Sequence, residues 1–412
     1  MHPDSSWFSL LILLAVPVLL GHRACARLDP PGEDQGGGRL HTLDGLRGYL
    51  ALAVVLHHGA VYRGWIETGT WDLPRSHLPM MIGHMGVAMF FMVTGYLFWS
   101  RLVAAGGRMD WVALYVGRVF RLGPIYLLAI VLMLVAIGIV TDWTLRVPLA
   151  DLAGQIAVWL PIGVVKGPRI NGYAETSQLL AGVTWTLRYE WLFYACLPFA
   201  AWALRRGAPA AALSYGLLVL ALGLAWALPD NRDAYVSVLF AIGMVAAVVR
   251  RSIPRPVPWH DGWASVAVIA LLAVVILGFD RAYAPIPMLL MGVAFLLVVS
   301  GCTVFGGLTH RGAERLGHVS YGVYLLQGLA LALTFRTPAG AAIAAGSGWG
   351  HWAMVIAAVL LVVAVAALAH IVIERPAIAA GRRLLRRRHR GLASHEAGNT
   401  MGLRPSPVRD QA

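Results

Sequence analysis

The chain has 412 residues, 58% of them hydrophobic and only 13% charged. Its mean hydropathy is +0.69, which excludes an ordinary soluble domain and describes a polytopic membrane protein. The formal charge of +13 does not read as nucleic-acid binding. The basic residues, all arginine except Lys166, sit in short clusters between apolar runs or in the tail, where they act as topology signals and phosphate partners.

The first apolar piece, WFSLLILLAVPVLLG at 7–21, has the form of a signal h-region followed by ACA, yet no Lys or Arg precedes it. Arg23, Arg27 and Arg39 follow, which favours an outside-to-inside anchor or a start codon assigned too early, so residues 1–40 stand apart. Ten stretches then follow that are long enough to cross a bilayer as helices: 42–61, 80–98, 122–140, 185–204, 210–228, 234–249, 263–278, 286–304, 316–335 and 352–373. Another piece, 152–165, is short and contains Pro161; it is expected to lie at the interface or re-enter. The fold class is all-α, a polytopic membrane protein of about ten transmembrane helices plus that segment.

Charge placement orients these spans. If the first starts inside, the inside loops collect Arg101, Arg108, Arg118 and Arg121, then Arg205 and Arg206, then Arg250, Arg251 and Arg255, then Arg311 and Arg315, and finally the tail RRLLRRRHR. Counting 152–165 as a span would put Arg205, Arg206 and the later loop clusters on the wrong side. Ten spans with both ends inside are therefore expected, with a basic cytoplasmic tail at 384–412, disordered beyond Gly391. Cys25, Cys196 and Cys302 are far apart in the chain, so neither a disulfide framework nor a metal site is expected.

Within the first span, Arg47 and His58 are eleven residues apart, which leaves them about 20° from alignment on one helical face and ~16 Å apart along the axis. A charge in a span marks a functional site by default. Spacing alone leaves open the plainer alternative, a snorkelling Arg47 and an interfacial His58.

Six motifs, in this order and spacing, resemble the acyltransferase 3 family of integral membrane proteins: LDGLRGYLALAVVLHHG, GVAMFFMVTGYLF, RVFRLGPIYLL, VTWTLRYEWLFYACLP, LGHVSYGVYLLQ and ERPA. The resemblance covers about residues 43–383 and implies a membrane domain over 41–383. Members move acyl groups, usually acetyl, from cytoplasmic acyl-CoA to sugars and other acceptors. The implied function is thus a bacterial inner-membrane O-acyltransferase, with acyl-CoA, typically acetyl-CoA, as co-substrate, no further cofactor and no metal, and a glycan or glycosylated acceptor. A lipid or antibiotic-type acceptor is one alternative; a secondary transporter is another, though no internal repeat supports it.

The family's signature arginine and histidine fall on Arg47 and His58. Acyl transfer to a hydroxyl needs a base near neutrality, which suits His58; Arg47 stays protonated, and its planar fork suits phosphate oxygens. The resemblance gives Arg118 and Arg121, which share a helix face, a role in anchoring CoA, although a plain positive-inside flank would read the same. It also implies Trp185, Thr186 and Glu190 near the outer mouth of the fourth span, where Glu190 would orient His58 or bind acceptor hydroxyls. Tyr321 is retained as a substrate-binding candidate. At Gln327 the family often has a histidine, and at Ala88 an acid, so proton-transfer or metal roles built on those positions fail here. Glu374 in ERPA is expected where the last span meets the cytoplasm, as a cap or in a local salt bridge.

Overall fold

A computed structural model describes residues 7–29, 40–254, 257 and 260–401, with side chains to residue 388. Arg39, Arg255 and residues 402–412 lie outside the described residues. Among the described residues there are helices but no strands; Ile170 and Tyr173 form an isolated bridge. In chain order the helices are α1 (Phe8–Leu20), α2 (His41–Thr68), α3 (His77–Ala104), α4 (Trp111–Val140), α5 (Leu149–Trp159), α6 (Trp185–Arg205), α7 (Ala210–Ala227), α8 (Arg232–Ser252), α9 (Asp261–Gly278), α10 (Pro285–Val299), α11 (Arg311–Phe335), α12 (Pro338–Gly346), α13 (Gly348–Ala369) and α14 (Arg375–Met401). Short 3₁₀ turns cover Arg23–Leu28 and Thr176–Leu180, and a π-helical turn, His370–Glu374, joins α13 to α14.

Seven helical stretches are long and apolar enough to cross a membrane: α3, α4, α7, α8, α9, α11 and the continuous run from Gly348 to Arg388. Helix α2 has 28 residues and α6 has 21, so both have the length. Their lower hydropathy comes from Asp44, Arg47, His57 and His58 in the one and Arg188, Glu190 and Arg205 in the other. Helix α10 has only 15 residues. Helix α5, within the piece expected not to cross, has 11; at 1.5 Å per residue it spans ~16 Å, about half the hydrocarbon core.

The bundle is organised around α3 and α11, each with 78% of its apolar window buried, whereas α7 and α9 bury only 17% and 22% and leave apolar faces to the lipid. The most extensive helix pair is α2 with α11. Glycine permits it. A Cβ added at Gly48 would lie 2.8 Å from the Gly317 nitrogen and 2.9 Å from the Ala313 carbonyl oxygen, and one at Gly317 would lie 1.9 Å from the carbonyl oxygen of Asp44. The pairing of α3 with α8 repeats the device at Gly95 and Gly243. In lipid no hydrophobic force drives helices together, so close backbone approach and polar contacts hold the bundle.

The N-terminal segment is not set apart from the rest. Helix α1 has 13 residues, about 20 Å, and it packs against α11 so closely that a Cβ at Gly312 would lie 1.7 Å from the Pro17 carbonyl oxygen. Arg315 fixes it. That side chain, 2% exposed, donates to both carboxylate oxygens of Asp29 at 2.7 and 2.8 Å and to the carbonyls of Leu20 and His22 at 2.8 Å each. Sequence counting places Arg315 in an inside loop as a topology charge; it is instead a buried tie. Arg375 adds bonds to the carbonyls of Arg27, Leu28 and Asp29. Glu374 is 2% exposed and pairs locally with His370 at 2.7 Å, and α14 runs from Arg375 to Met401.

Gly317→Val should drive α2 from α11. The expected outcome is a loss of about 1–3 kcal/mol or failure to assemble, read as a lowered midpoint for retention of the monodisperse peak after heating in detergent. Gly216→Val, where a Cβ meets nothing within 4 Å, should leave that midpoint unchanged.

Candidate functional site

A cleft opens between α2, α3, α4, α6 and α11. Its walls are apolar, with Val87, Phe90, Phe91, Leu97, Leu122 and Leu187, and its charges are Arg47, Arg101, Arg118, Arg121 and Glu190. Each arginine has an apolar or distant counterpart. The guanidiniums of Arg118 and Arg101 lie 5.0 and 5.9 Å from the centre of the Phe98 ring, a cation–π arrangement that holds both heads in place. Arg47 stands 3.8 Å from the Asp44 carboxylate. Among the described residues, no carboxylate is in ion-pair contact with Arg101, Arg118 or Arg121. Charged groups in a membrane domain normally have partners. Three arginines with no carboxylate, on α3 and α4, leave a positive field that an anion satisfies.

Glu190 faces the same cavity. It accepts from the Tyr194 hydroxyl at 2.7 Å, one turn on in α6, while the Tyr194 carbonyl accepts from Tyr115 of α4 at 3.0 Å. Above them, Tyr321 donates to the Leu122 carbonyl at 3.0 Å. Tyr324 and Thr186 share a hydroxyl–hydroxyl bond of 3.0 Å, and both reach the Val183 carbonyl. These bonds tie α11 to α4 and to the start of α6.

His58 lies beyond this layer. Its Nδ1 is 2.9 Å from the Val54 carbonyl oxygen; a carbonyl only accepts, so Nδ1 carries the proton and Nε2 keeps the lone pair. Gln327 fixes the same arrangement. Its Nε2 donates to the Tyr324 carbonyl at 2.7 Å, which turns its Oε1 toward His58 Nδ1 at 3.3 Å. Tyr324 lines the cleft and Gln327 touches His58, three residues and about 4.5 Å apart along α11. His57 differs. It is 7% exposed, packs against Gly83 and bonds to the Pro79 carbonyl at 3.2 Å, the contacts of a structural residue.

Of the eight residues singled out in the sequence, six line the cleft: Arg47, Arg118, Arg121, Thr186, Glu190 and Tyr321. Glu190 and Thr186, expected at the mouth remote from the CoA-binding arginines, share their cavity, and the hydrogen bond of Glu190 goes to Tyr194. Trp185 does not line the cleft; the Arg232 guanidinium lies 4.7 Å above its ring. Sequence reasoning missed Arg101, which reads as one topology charge among several, and Tyr194, although its i+4 spacing from Glu190 is a visible signal. Gln327 enters as a departure from the family pattern and proves to be the partner of His58.

These helices are those of a multi-pass membrane protein. The chain belongs to the acyltransferase 3 family, whose acyltransferase domain it matches over residues 40–371. It is 24% identical over 387 residues to Nodulation protein 10 of Rhizobium leguminosarum bv. viciae, an alignment covering 87% of this chain and 98% of that protein. No solved structure matches it.

If the cleft is an anion site, inorganic pyrophosphate should raise the thermal midpoint of the purified protein, by mass action on the folded state. Arg118→Gln with Arg121→Gln should abolish the rise, and Arg206→Gln, outside the cleft, should keep it. An equal rise in all three proteins would place the anion elsewhere.

Proposed function

We propose that this protein transfers a short acyl group, acetyl in the simplest case, from cytoplasmic acyl-CoA to a hydroxyl of a cell-surface or exported glycan. On this reading it has ten spans in a bacterial inner membrane and both ends of its core domain in the cytoplasm. The observation that carries the donor assignment is the convergence of Arg47, Arg101, Arg118 and Arg121 from three helices on one cleft, with His58 about 16 Å beyond Arg47 along α2 and bonded to Gln327, one turn past the cleft-lining Tyr324 in α11. Guanidinium groups bind phosphate oxygens through paired N–H donors, so the phosphates of CoA take the arginine end. The thioester then points along the apolar wall of α3 toward Tyr324 and His58. The glycan acceptor follows the habit of the family alone.

In the reaction, the acceptor oxygen attacks the thioester carbonyl while His58 Nε2 takes its proton. The carbon–sulfur bond breaks, CoA leaves as a thiolate, and the imidazolium returns the proton to sulfur. Val54 and Gln327 hold the ring through Nδ1, so one tautomer is in place throughout. The hydroxyls of Tyr324 and Thr186 lie between cleft and base, where they can orient the carbonyl or donate to its developing charge.

His58→Ala should lower transfer from radiolabelled acetyl-CoA by roughly 10²- to 10⁴-fold, with insertion unaffected, while His57→Ala should act mainly on stability. Arg101→Ala and Arg118→Ala should raise the KM for acetyl-CoA more than they lower kcat, with lysine rescuing only in part. Mass spectrometry of surface polysaccharide from a deletion strain should show loss of an acetyl increment. Full activity in His58→Ala would remove the base assigned here.

A further inference from the structure

The segment that connects α5 to α6 enters the bundle. Its 3₁₀ turn, Thr176–Leu180, ends at Ala181, whose φ of +51° is left-handed, followed by Gly182 at +67°. Leu179, Leu180, Ala181 and Val183 are all 4% exposed or less. A non-glycine residue in that region is strained and persists where its surroundings enforce it. Here the surroundings are α11. A Cβ at Gly328 would lie 2.3 Å from the Ala181 nitrogen and 2.6 Å from the Leu179 carbonyl oxygen, so the loop is seated against the residue next to Gln327. Gly328 thus brings Ala181 next to Gln327, whose Oε1 lies 3.3 Å from His58 Nδ1.

One charged side chain clasps the start of this loop. Arg336, at the end of α11, donates to the Glu175 carboxylate, to the Tyr173 hydroxyl at 2.8 Å and to Gln178 Oε1 at 3.1 Å, all on the segment. It also reaches the Tyr62 hydroxyl of α2 at 3.3 Å and lies 4.8 Å over the Trp65 ring. Arg336 is eight residues past Gly328, about 12 Å along the axis, and fifteen past Tyr321, about 22 Å. The arginine cleft and this clasp therefore occupy opposite ends of the bundle, with His58 between them.

We propose that Arg336 and Glu175 are positioning residues for His58: they clasp residues 176–184 as a plug over the base, on the side away from the arginine cleft. This rests on His58 being the base. The plug keeps water from that face and sets the Ala181 peptide next to Gln327, the partner of the imidazole. The acceptor hydroxyl comes to His58 as the plug lifts, so CoA and acceptor use different entrances. Nothing in the clasp contacts the donor, which separates its role from that of the cleft arginines.

The test uses the full-length protein in lipid nanodiscs, with Cys25, Cys196 and Cys302 replaced by serine or alanine and Leu180→Cys placed in the plug. A polar maleimide should label Leu180→Cys slowly. Arg336→Gln and Glu175→Gln should each raise the labelling rate roughly 10- to 100-fold, as expected for loss of a charge-assisted hydrogen bond, and Arg336→Lys should recover part of the protection. With the native Leu180, Arg336→Gln should lower kcat for acetyl-CoA consumption at least tenfold, as expected from misplacing a catalytic group, and leave KM within about twofold. An unchanged labelling rate in Arg336→Gln, or a KM effect without a kcat effect, overturns the proposal. Labelling needs no turnover: a wild-type protein that consumes no acetyl-CoA would sink the donor reading, whereas unchanged labelling sinks the plug and leaves His58 as base.

Discussion

Everything in the site depends on how closely α2 and α11 can approach. Gly48 and Gly317 allow backbone to touch backbone, and the contact sets the two helices in a fixed register. Arg47, His58 and Tyr62 of α2 then stand beside Ser320, Gln327 and Phe335 of α11, so that the cleft, the proposed base and the proposed clasp follow one another along a single seam. The surrounding helices add to this seam: α3 supplies Arg101 and the apolar wall, α4 the pair Arg118 and Arg121, and α6 Glu190 and Thr186. A larger side chain at the crossing would shift every one of these groups together.

The arginines divide by the company they keep. Arg315 is buried and fully engaged, with a bidentate carboxylate and two carbonyls; such a residue is structural, because its charge is already spent. Arg336 is likewise engaged, but its partners are on a loop. Arg101, Arg118 and Arg121 face a cavity with no carboxylate in ion-pair contact among the described residues, two of them resting on the face of Phe98. Gathering like charges in a low-dielectric region is unfavourable unless an anion joins them. On the proposed reading, this is the end of the molecule that takes the phosphates of the donor.

Much of this was legible in the sequence, and the remainder fails for definable reasons. Hydropathy locates the apolar helices because a bilayer imposes length and composition on each one separately. It underrates α2 and α6, whose polarity belongs to the site, and there the motif resemblance supplied what hydropathy could not. Counting arginines per loop assigns Arg101 and Arg315 the same topological role, since a count carries no direction; only the fold shows one facing the cleft and the other tying down residues 8–29. Glu190 reads as remote from the arginines because helix ends order residues along the membrane normal, whereas the cleft is deep enough to gather both. The loop at 176–184 has no periodicity to betray it. Its importance comes from Gly328 and Arg336, more than 140 residues away in the chain.

The most direct measurement is an experimental structure of the protein in lipid with a non-hydrolysable thioether analogue of acetyl-CoA. The expected density has phosphates among Arg47, Arg101, Arg118 and Arg121, and an arm that passes Tyr324 to bring the acyl carbonyl within reach of His58. Phosphates bound away from these four arginines, or an arm leading away from His58, would contradict a mechanism in which one cleft binds the donor and the histidine beyond it carries out the transfer.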